Sequence, residues 1–289
     1  MSKLTLACVT AGLLCSRAML WTALAADGAK HEAHAIPDFN PDGFTGWAAD
    51  RPASDDFLPH DKSAGPGPVE SDPAHPYVPN GDGIQSTYRV ADLTNPILKP
   101  WVKEMMKISN DEVLEGKVPF IARERCYPGG VPAWDIYNRG QPVHILQTPT
   151  KVVMINELFA STRHIYLNVP HSKNPKPSWY GESVGHYEGD TLVVDTIGFN
   201  DKTYVDNYRT PHTTQLHAVE RFRMINDGKS PEVKIWVEDP GAFNMPWTAR
   251  STWRRVKPGQ LIEDYCEPNN DFYFGYDVAP LPIDNTPDF

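Results

Sequence analysis

A histidine-containing stretch holds the residues best suited to proton transfer. His212 and His217 lie five residues apart, and Glu220 follows three residues later. An imidazole takes up and releases protons near neutral pH, and a neighbouring carboxylate can orient it. We predict that His212 acts as general acid or base, with Glu220 or Glu157 as its carboxylate partner and His217 as a further candidate.

Glu220 alternates with apolar residues, so its carboxylate is expected among apolar side chains. A carboxylate in such surroundings has a raised pKa or a cationic partner. One interpretation makes Glu220 catalytic, with Arg163 holding an anionic or oxyanion centre. The other makes Glu220 half of a structural ion pair with Arg163 or Arg250.

Asp195 interrupts an apolar strand and shares a face with Val193 and Ile197. That row is either the outer face, covered by the N-terminal part of the chain, or the inner face. The second alternative would make Asp195 an inward-pointing acid. The alternation of the strand leaves both open, so Asp195 joins the candidate catalytic residues.

Aromatic residues precede and follow this strand, in segments predicted to be loops. They would suit the flat ring of an aromatic compound or the face of a sugar, or they could only clamp the N-terminal segment. We predict that four of them bind a small-molecule ligand or substrate: Trp179, Tyr180, Tyr204 and Tyr208.

Metal and cofactor motifs are missing from the sequence. No phosphate-binding loop or dinucleotide fingerprint occurs, and five histidines of the barrel region do not pair at two-residue strand spacing or at the i, i+4 spacing of a helix: His164, His171, His186, His212 and His217. Ser183 lies in a Gly-x-Ser-x-Gly string, but a proline-rich segment precedes it and a hairpin follows, unlike a nucleophile elbow. We therefore predict no metal and no cofactor.

The segments that position these residues alternate between apolar and polar side chains. From Gln141 onward, about eight short strands are separated by turns such as Glu188-Gly189-Asp190 and Asp227-Gly228. One longer excursion follows Phe199. Closure removes exposed strand edges, so we predict a mainly β, antiparallel up-and-down barrel, with an open sandwich as the alternative.

The whole chain divides into a signal peptide, an arm and a barrel domain. Residues 1–25 have a basic start, an apolar run and the small-x-small site Ala23-Leu24-Ala25, which predicts a signal peptide and a secreted or periplasmic protein. Residues 26–94 are rich in Pro, Asp and Gly and are predicted to form an irregular arm, in which the strand-like piece Asp42 to Trp47 is a candidate to open the sheet. Residues 95–289 are predicted to form the barrel domain. Its first part, from Asn95 to about Ser109, is a helix that precedes the strands. No later segment is apolar enough to span a membrane.

The two cysteines that follow the signal peptide are Cys126 and Cys266. In an oxidising compartment they are expected to form a disulfide. A metal-binding pair and a nucleophilic thiol are the alternatives.

The overall charge limits the partners. The net charge of -10 and the absence of a basic run argue against nucleic acid and anionic membrane surfaces. About 264 residues remain after signal removal, enough for one good core. The expected partner is a small molecule.

Several motifs resemble a large family of secreted bacterial proteins of unsettled function. They are Cys126 to Pro132, Gln147 to Pro149, Trp179 to Ser183 and Glu188 to Thr196. The family's Cys-His-Glu-Gly-Asn element appears here as Cys266-Glu267-Pro268-Asn269-Asn270, without the histidine. The resemblance implies an exported β-barrel, and the Glu-Gly-Asp turn is similar to that of lipocalin-like barrels.

Three functions remain as hypotheses. The first is a lyase, isomerase or hydrolase that uses His and carboxylate groups on an aromatic or glycosidic compound. The second is a lipocalin-like extracytoplasmic protein that binds an apolar or aromatic ligand. The third is an interaction module that docks through its arm. Ionisable groups that converge deep in the barrel would favour catalysis over ligand binding alone.

Overall fold

Nine β-strands close into a barrel in the computed structural model, which describes residues 36–43, 45–49, 69–76, 89–117, 126–137, 142–157 and 161–256. In chain order the elements are β1 (Gly46–Ala49), α1 (Pro100–Leu114), α2 (Ala133–Tyr137), β2 (Val143–Gln147), β3 (Lys151–Asn156), β4 (Ser161–Leu167), β5 (Glu182–Glu188), β6 (Thr191–Ile197), β7 (His217–Ile225), β8 (Ser230–Glu238) and β9 (Trp247–Arg255). Each strand pairs with the preceding one, and β9 pairs with β1. The predicted mainly β barrel is confirmed.

The strand-like piece from Asp42 to Trp47 overlaps β1, which opens the sheet and lies between β9 and β2 as the ninth strand. The barrel differs from the prediction in one respect. β4 and β5 run parallel, with Ile165 opposite Ser183, so the barrel is mixed and not purely antiparallel. Parallel neighbours need a connection that crosses the length of the strands, and residues 168–181 supply it.

The core lies inside the barrel, where alternate side chains of every strand meet. The largest fully buried apolar side chains include Trp47, Phe222 and Trp253. The rings of Phe222 and Trp253 meet edge to face, with centroids 5.9 Å apart. These side chains come from β1, β7 and β9, so the core joins the first strand to the last ones.

The two ends of the barrel differ. At one end the strands are joined by the short turns 148–150, 189–190 and 226–229. At the other end the connections 198–216 and 239–246 are longer, and β4, β5, β7 and β9 begin there. We call this the loop end. Binding and catalytic residues are common on loops that a rigid scaffold positions.

The helix α1 begins later than predicted. The side chain of Asn95 accepts a hydrogen bond from the backbone N–H of Ile97 at 3.1 Å, which makes a turn instead of a helix cap. Pro100 then occupies the first turn of α1. The helix buries Val102 and Met106, whereas the apolar side chains of Trp101, Met105 and Ile108, which recur at helical spacing, are exposed.

Parts of the predicted arm lie against the barrel domain. The backbone N–H of Ala91 donates to the Asn110 side chain of α1 at 2.9 Å, and the Gln147 side chain accepts a bond from the backbone N–H of Phe39 at 2.9 Å. The predicted signal peptide and Cys266 lie outside the described residues. No helix in the described ranges is long and apolar enough to cross a bilayer.

Candidate functional site

All six predicted catalytic residues lie at or near the loop end, but in four separate places. Arg163 pairs with Glu220, Asp195 with His217, Glu157 with His144, and His212 with Thr203. The predicted combination of His212 with Glu220 or Glu157 is therefore not found among the hydrogen bonds of these residues.

Arg163 and Glu220 form a bidentate ion pair inside the barrel. The Nη1 of Arg163 donates to Glu220 Oε1 at 2.7 Å, and Nη2 donates to Oε2. Only 1% of the Arg163 side chain and none of the Glu220 side chain is exposed. Since β4 and β7 are separated by two strands, this contact crosses the interior. Of the two alternatives for Glu220, the ion pair with Arg163 is the one observed.

The guanidinium also bonds to the two strands that it crosses. Arg163 Nε donates to Ser183 Oγ at 3.2 Å, and Nη2 donates to Thr196 Oγ1 at 2.9 Å. The two hydroxyls lie 3.0 Å apart. Ser183 is therefore a buried strand residue, which agrees with its exclusion as a nucleophile.

A second carboxyl group completes this arrangement. Asp135, on α2, is fully buried, and burial followed by the negative charge of Glu220 raises its pKa well above the usual range. Among the described residues, none donates a hydrogen bond to either carboxyl oxygen of Asp135. We call Asp135, Arg163, Ser183, Thr196 and Glu220 the inner cluster. It places two acids and one guanidinium in a single buried volume.

A second cluster lies on the outside of the same strands. Asp195 points outward, because its strand neighbours Val194 and Thr196 point into the barrel. His217 Nε2 lies 3.1 Å from both Asp195 oxygens, and His171 Nε2 lies 2.8 Å from Oδ1. The outer-face alternative for Asp195 is thus the observed one.

Two more carboxylates bind the far sides of these histidines. Glu182 Oε1 lies 3.1 Å from His171 Nδ1, and Glu238 Oε1 lies 3.3 Å from His217 Nδ1. We call these two, with His171, Asp195 and His217, the outer network. The side chains are 20–39% exposed, so solvent and a ligand reach them.

The hydrogen bonds of the outer network shift the pKa values of His217 and Asp195 in opposite directions. The hydrogen bond to Asp195 raises the pKa of His217 against the opposing effect of burial. Burial alone would raise the pKa of Asp195, but its bonds to His217 and His171 lower it. His217 therefore holds its proton to higher pH than a free histidine, while Asp195 stays ionised. An imidazolium next to a fixed carboxylate can donate a proton.

His212 has a different environment from the one predicted. It is 3% exposed, and burial lowers its pKa. Nδ1 lies 3.0 Å from the backbone oxygen of Thr213, so it donates there, and Nε2 accepts from the Thr203 hydroxyl at 2.7 Å. Both ring nitrogens of the neutral imidazole are occupied, and these bonds join two parts of the loop 198–216.

Glu157 also has a partner that was not expected. Its Oε1 lies 3.0 Å from His144 Nε2, and the two side chains are 7% and 8% exposed. His144 lies on β2 and Glu157 directly follows β3, so the pair joins the ends of two adjacent strands.

The four predicted ligand-binding aromatics do not share one surface. Trp179 stacks on Tyr127 with centroids 5.3 Å apart, and Tyr180 meets Trp134 edge to face at 5.1 Å. The Tyr208 hydroxyl lies 2.6 Å from Ser71 Oγ, so Tyr208 clamps the arm, as the alternative interpretation proposed. Tyr204 is partly buried and pairs with Pro211 in an isolated bridge.

Four ionisable residues of the two clusters were missed by sequence reasoning: Asp135, His171, Glu182 and Glu238. The pairing of Glu238 with His217 follows from the hairpin centred on Asp227-Gly228, in which residues equidistant from the turn lie opposite each other. No comparable local rule places His171 or Asp135, because each comes from a segment outside the antiparallel pairs.

Within the described ranges, no three His, Cys, Asp or Glu side chains are arranged to hold a metal ion. No protein-family model matches the chain, and no protein of curated function is significantly similar to it in sequence.

Proposed function

We propose that this protein is an enzyme that processes a small molecule by acid–base chemistry, as a lyase, isomerase or hydrolase, and that the outer network is its catalytic centre. The observation that carries the proposal is the position of Asp195 between the Nε2 atoms of two partly exposed histidines. A catalytic acid must reach both its orienting carboxylate and the substrate. The outer network meets both conditions.

His217 is the proposed proton donor. Asp195 orients its ring and holds the positive charge, and Glu238 makes the longest contact, at 3.3 Å. A substrate atom that displaces Glu238 from Nδ1 receives the proton. His171 fixes Asp195 from the other side, at 2.8 Å. Trp236, whose ring meets His217 edge to face at 5.5 Å, offers an aromatic surface beside the reacting atom.

The proposal is tested with a panel of 4-nitrophenyl esters, 4-nitrophenyl glycosides and uronate-containing polysaccharides. For the class that is turned over, His217→Asn is expected to lower kcat at least about a hundredfold, as loss of acid catalysis does. Activity should fall as the pH rises through the raised pKa of His217, because the imidazolium is the active form.

A matched control lies at the opposite end of the barrel. His186 forms a similar pair with Glu188 at 3.0 Å, and both side chains are about half exposed. His186→Asn should leave turnover unchanged. His212→Asn in the same panel tests the sequence-based candidate. Undiminished turnover in His217→Asn would exclude the outer network from the mechanism.

The second candidate function, ligand binding without catalysis, is favoured by one observation. Tyr127 and Trp179 stack with an angle of 13° between their rings, and 44% of Tyr127 is exposed. Such a pair offers a flat surface to an aromatic compound. Quenching of the Trp179 fluorescence by 1-anilinonaphthalene-8-sulfonate, lost in Tyr127→Ala, would support this function.

We also propose that the protein is exported and that Cys126 pairs with Cys266. The N-terminal sequence pattern supports export, and the presence of two cysteines after the signal peptide supports one disulfide in an oxidising compartment. Expression in a bacterial host should give a periplasmic protein whose mass corresponds to cleavage after Ala25. Alkylation of the unfolded, unreduced protein should modify neither cysteine, and two modified thiols would rule out the bond.

A further inference from the structure

With both acids ionised, the inner cluster would carry one negative charge more than its guanidinium balances. Asp135 and Glu220 are both fully buried, and Arg163 is the cation that interacts with both of them. Both oxygens of Glu220 accept hydrogen bonds from Arg163. Neither oxygen of Asp135 has a donor in the part of the chain that the structure describes. A buried carboxylate without a partner is costly, so Asp135 requires either a proton or a cation.

A proton satisfies this requirement only in part. It neutralises Asp135 and forms one hydrogen bond to Glu220, the acid in contact with it. The remaining oxygen of Asp135 still lies buried without a donor. A primary ammonium ion carries the same charge and three N–H donors, so it can bond to both oxygens at once.

The neighbours of Asp135 favour such an ion. Trp134 precedes it on α2, and the Trp134 and Tyr180 rings meet edge to face at 5.1 Å. Aromatic rings attract organic cations. The indole Nε1 of Trp134 is a buried donor that finds no acceptor within the described ranges, and a hydroxyl oxygen on the amine would accept from it.

We propose that the loop end binds a small hydroxylated primary amine, with its ammonium group on Asp135, its hydroxyl on Trp134 Nε1, and Tyr180 beside it. Tyr180 is partly exposed while Trp134 and Asp135 are buried, so Tyr180 marks the side that faces solvent. This amine site lies on the inner side of the barrel wall and does not depend on the proposed catalytic role of the outer network.

The test is calorimetric titration of the full-length protein with ethanolamine at neutral pH, in two buffers of different ionisation enthalpy. Binding is expected with release of up to about one proton per ligand, because the ammonium replaces the proton of Asp135. Ethylene glycol, which lacks the charge, should not bind. Asp135→Asn should abolish binding, and the exposed control Asp227→Asn should not change it.

A second variant tests the hydroxyl contact. Trp134→Phe keeps an aromatic ring but removes Nε1, so it should weaken ethanolamine binding up to about tenfold and leave propylamine binding unchanged. Circular dichroism confirms that each variant is folded. Absence of ethanolamine binding to the wild-type protein, or equal binding to Asp135→Asn, would overturn the proposal. So would binding that Asp195→Asn abolishes, because the ligand would then lie in the outer network.

Discussion

Replacement of Arg163 by Met provides a direct test of the inner cluster. The substitution keeps an unbranched side chain but removes the guanidinium, which leaves Glu220 buried with no cationic partner. Breaking a buried pair on one side costs about 3–5 kcal/mol, because the remaining charge is not compensated. Since whole domains are stable by about 5–15 kcal/mol, the variant should be close to the limit of folding.

Urea unfolding of four proteins measures this effect: the wild type, Arg163→Met, Glu220→Leu and the double variant. The double variant has neither charge, so it should recover most of the stability lost in Arg163→Met. The deficit of Arg163→Met should shrink in acid. A neutral carboxylic acid carries no uncompensated charge, so acid removes the burial penalty in the variant.

An exposed pair supplies the control. The side chains of Arg221 and Glu188 form an ion pair and are both about half exposed, so Arg221→Met should cost at most about 1 kcal/mol. A similarly small loss in Arg163→Met, or additive losses in the double variant, would refute the claim that Arg163 compensates a buried charge.

Two further outcomes are expected from the same structure. Because burial raises the pKa of Asp135 above its unfolded value, its contribution to stability is complete below about pH 4 and is lost as the pH rises toward the folded pKa. In that window the free energy of unfolding of the wild type should therefore fall by about 1.4 kcal/mol per pH unit relative to that of Asp135→Asn. If urea unfolding gives the same pH dependence for both proteins, the reasoning is wrong. Gly181 has a φ of +63°, and an added Cβ would lie 2.5 Å from the Ile197 oxygen, so Gly181→Ala should be less stable in thermal unfolding than Gly228→Ala, where φ is +77° and no atom lies within 4 Å. Equal melting temperatures for the two variants would show that the contact at Gly181 is relieved.

The sequence was sufficient to predict where the strands lie, but not which side of the sheet each side chain faces. Alternation and the turn at Asp227-Gly228 predicted β7, β8 and their hairpin. The same alternation could not decide whether Asp195 points inward, because Val193, on its face, is as apolar as the core. In the structure Val193 lies opposite His186 and Arg221 on the outside, although it is only 5% exposed.

Contacts between distant segments were beyond prediction for a different reason. Asp135 reaches the inner cluster from a five-residue helix, and His171 reaches the outer network from the crossover between β4 and β5. No antiparallel register relates either residue to its partners. The candidate pair Arg163–Glu220 was foreseen as one alternative because a buried carboxylate among apolar residues requires a cation.

The inner cluster and the outer network use neighbouring residues of the same strands. Thr196 bonds to Arg163 inside the barrel, and Asp195, next to it, bonds to His217 and His171 outside. A shift of β6 by one residue would turn every side chain to the other face. Asp195 would then enter the interior beside Glu220, and Thr196 would leave Arg163. Burial of a further uncompensated carboxylate makes that register unfavourable. The buried hydrogen bonds of Arg163 therefore help to fix the register that presents Asp195 to its two histidines.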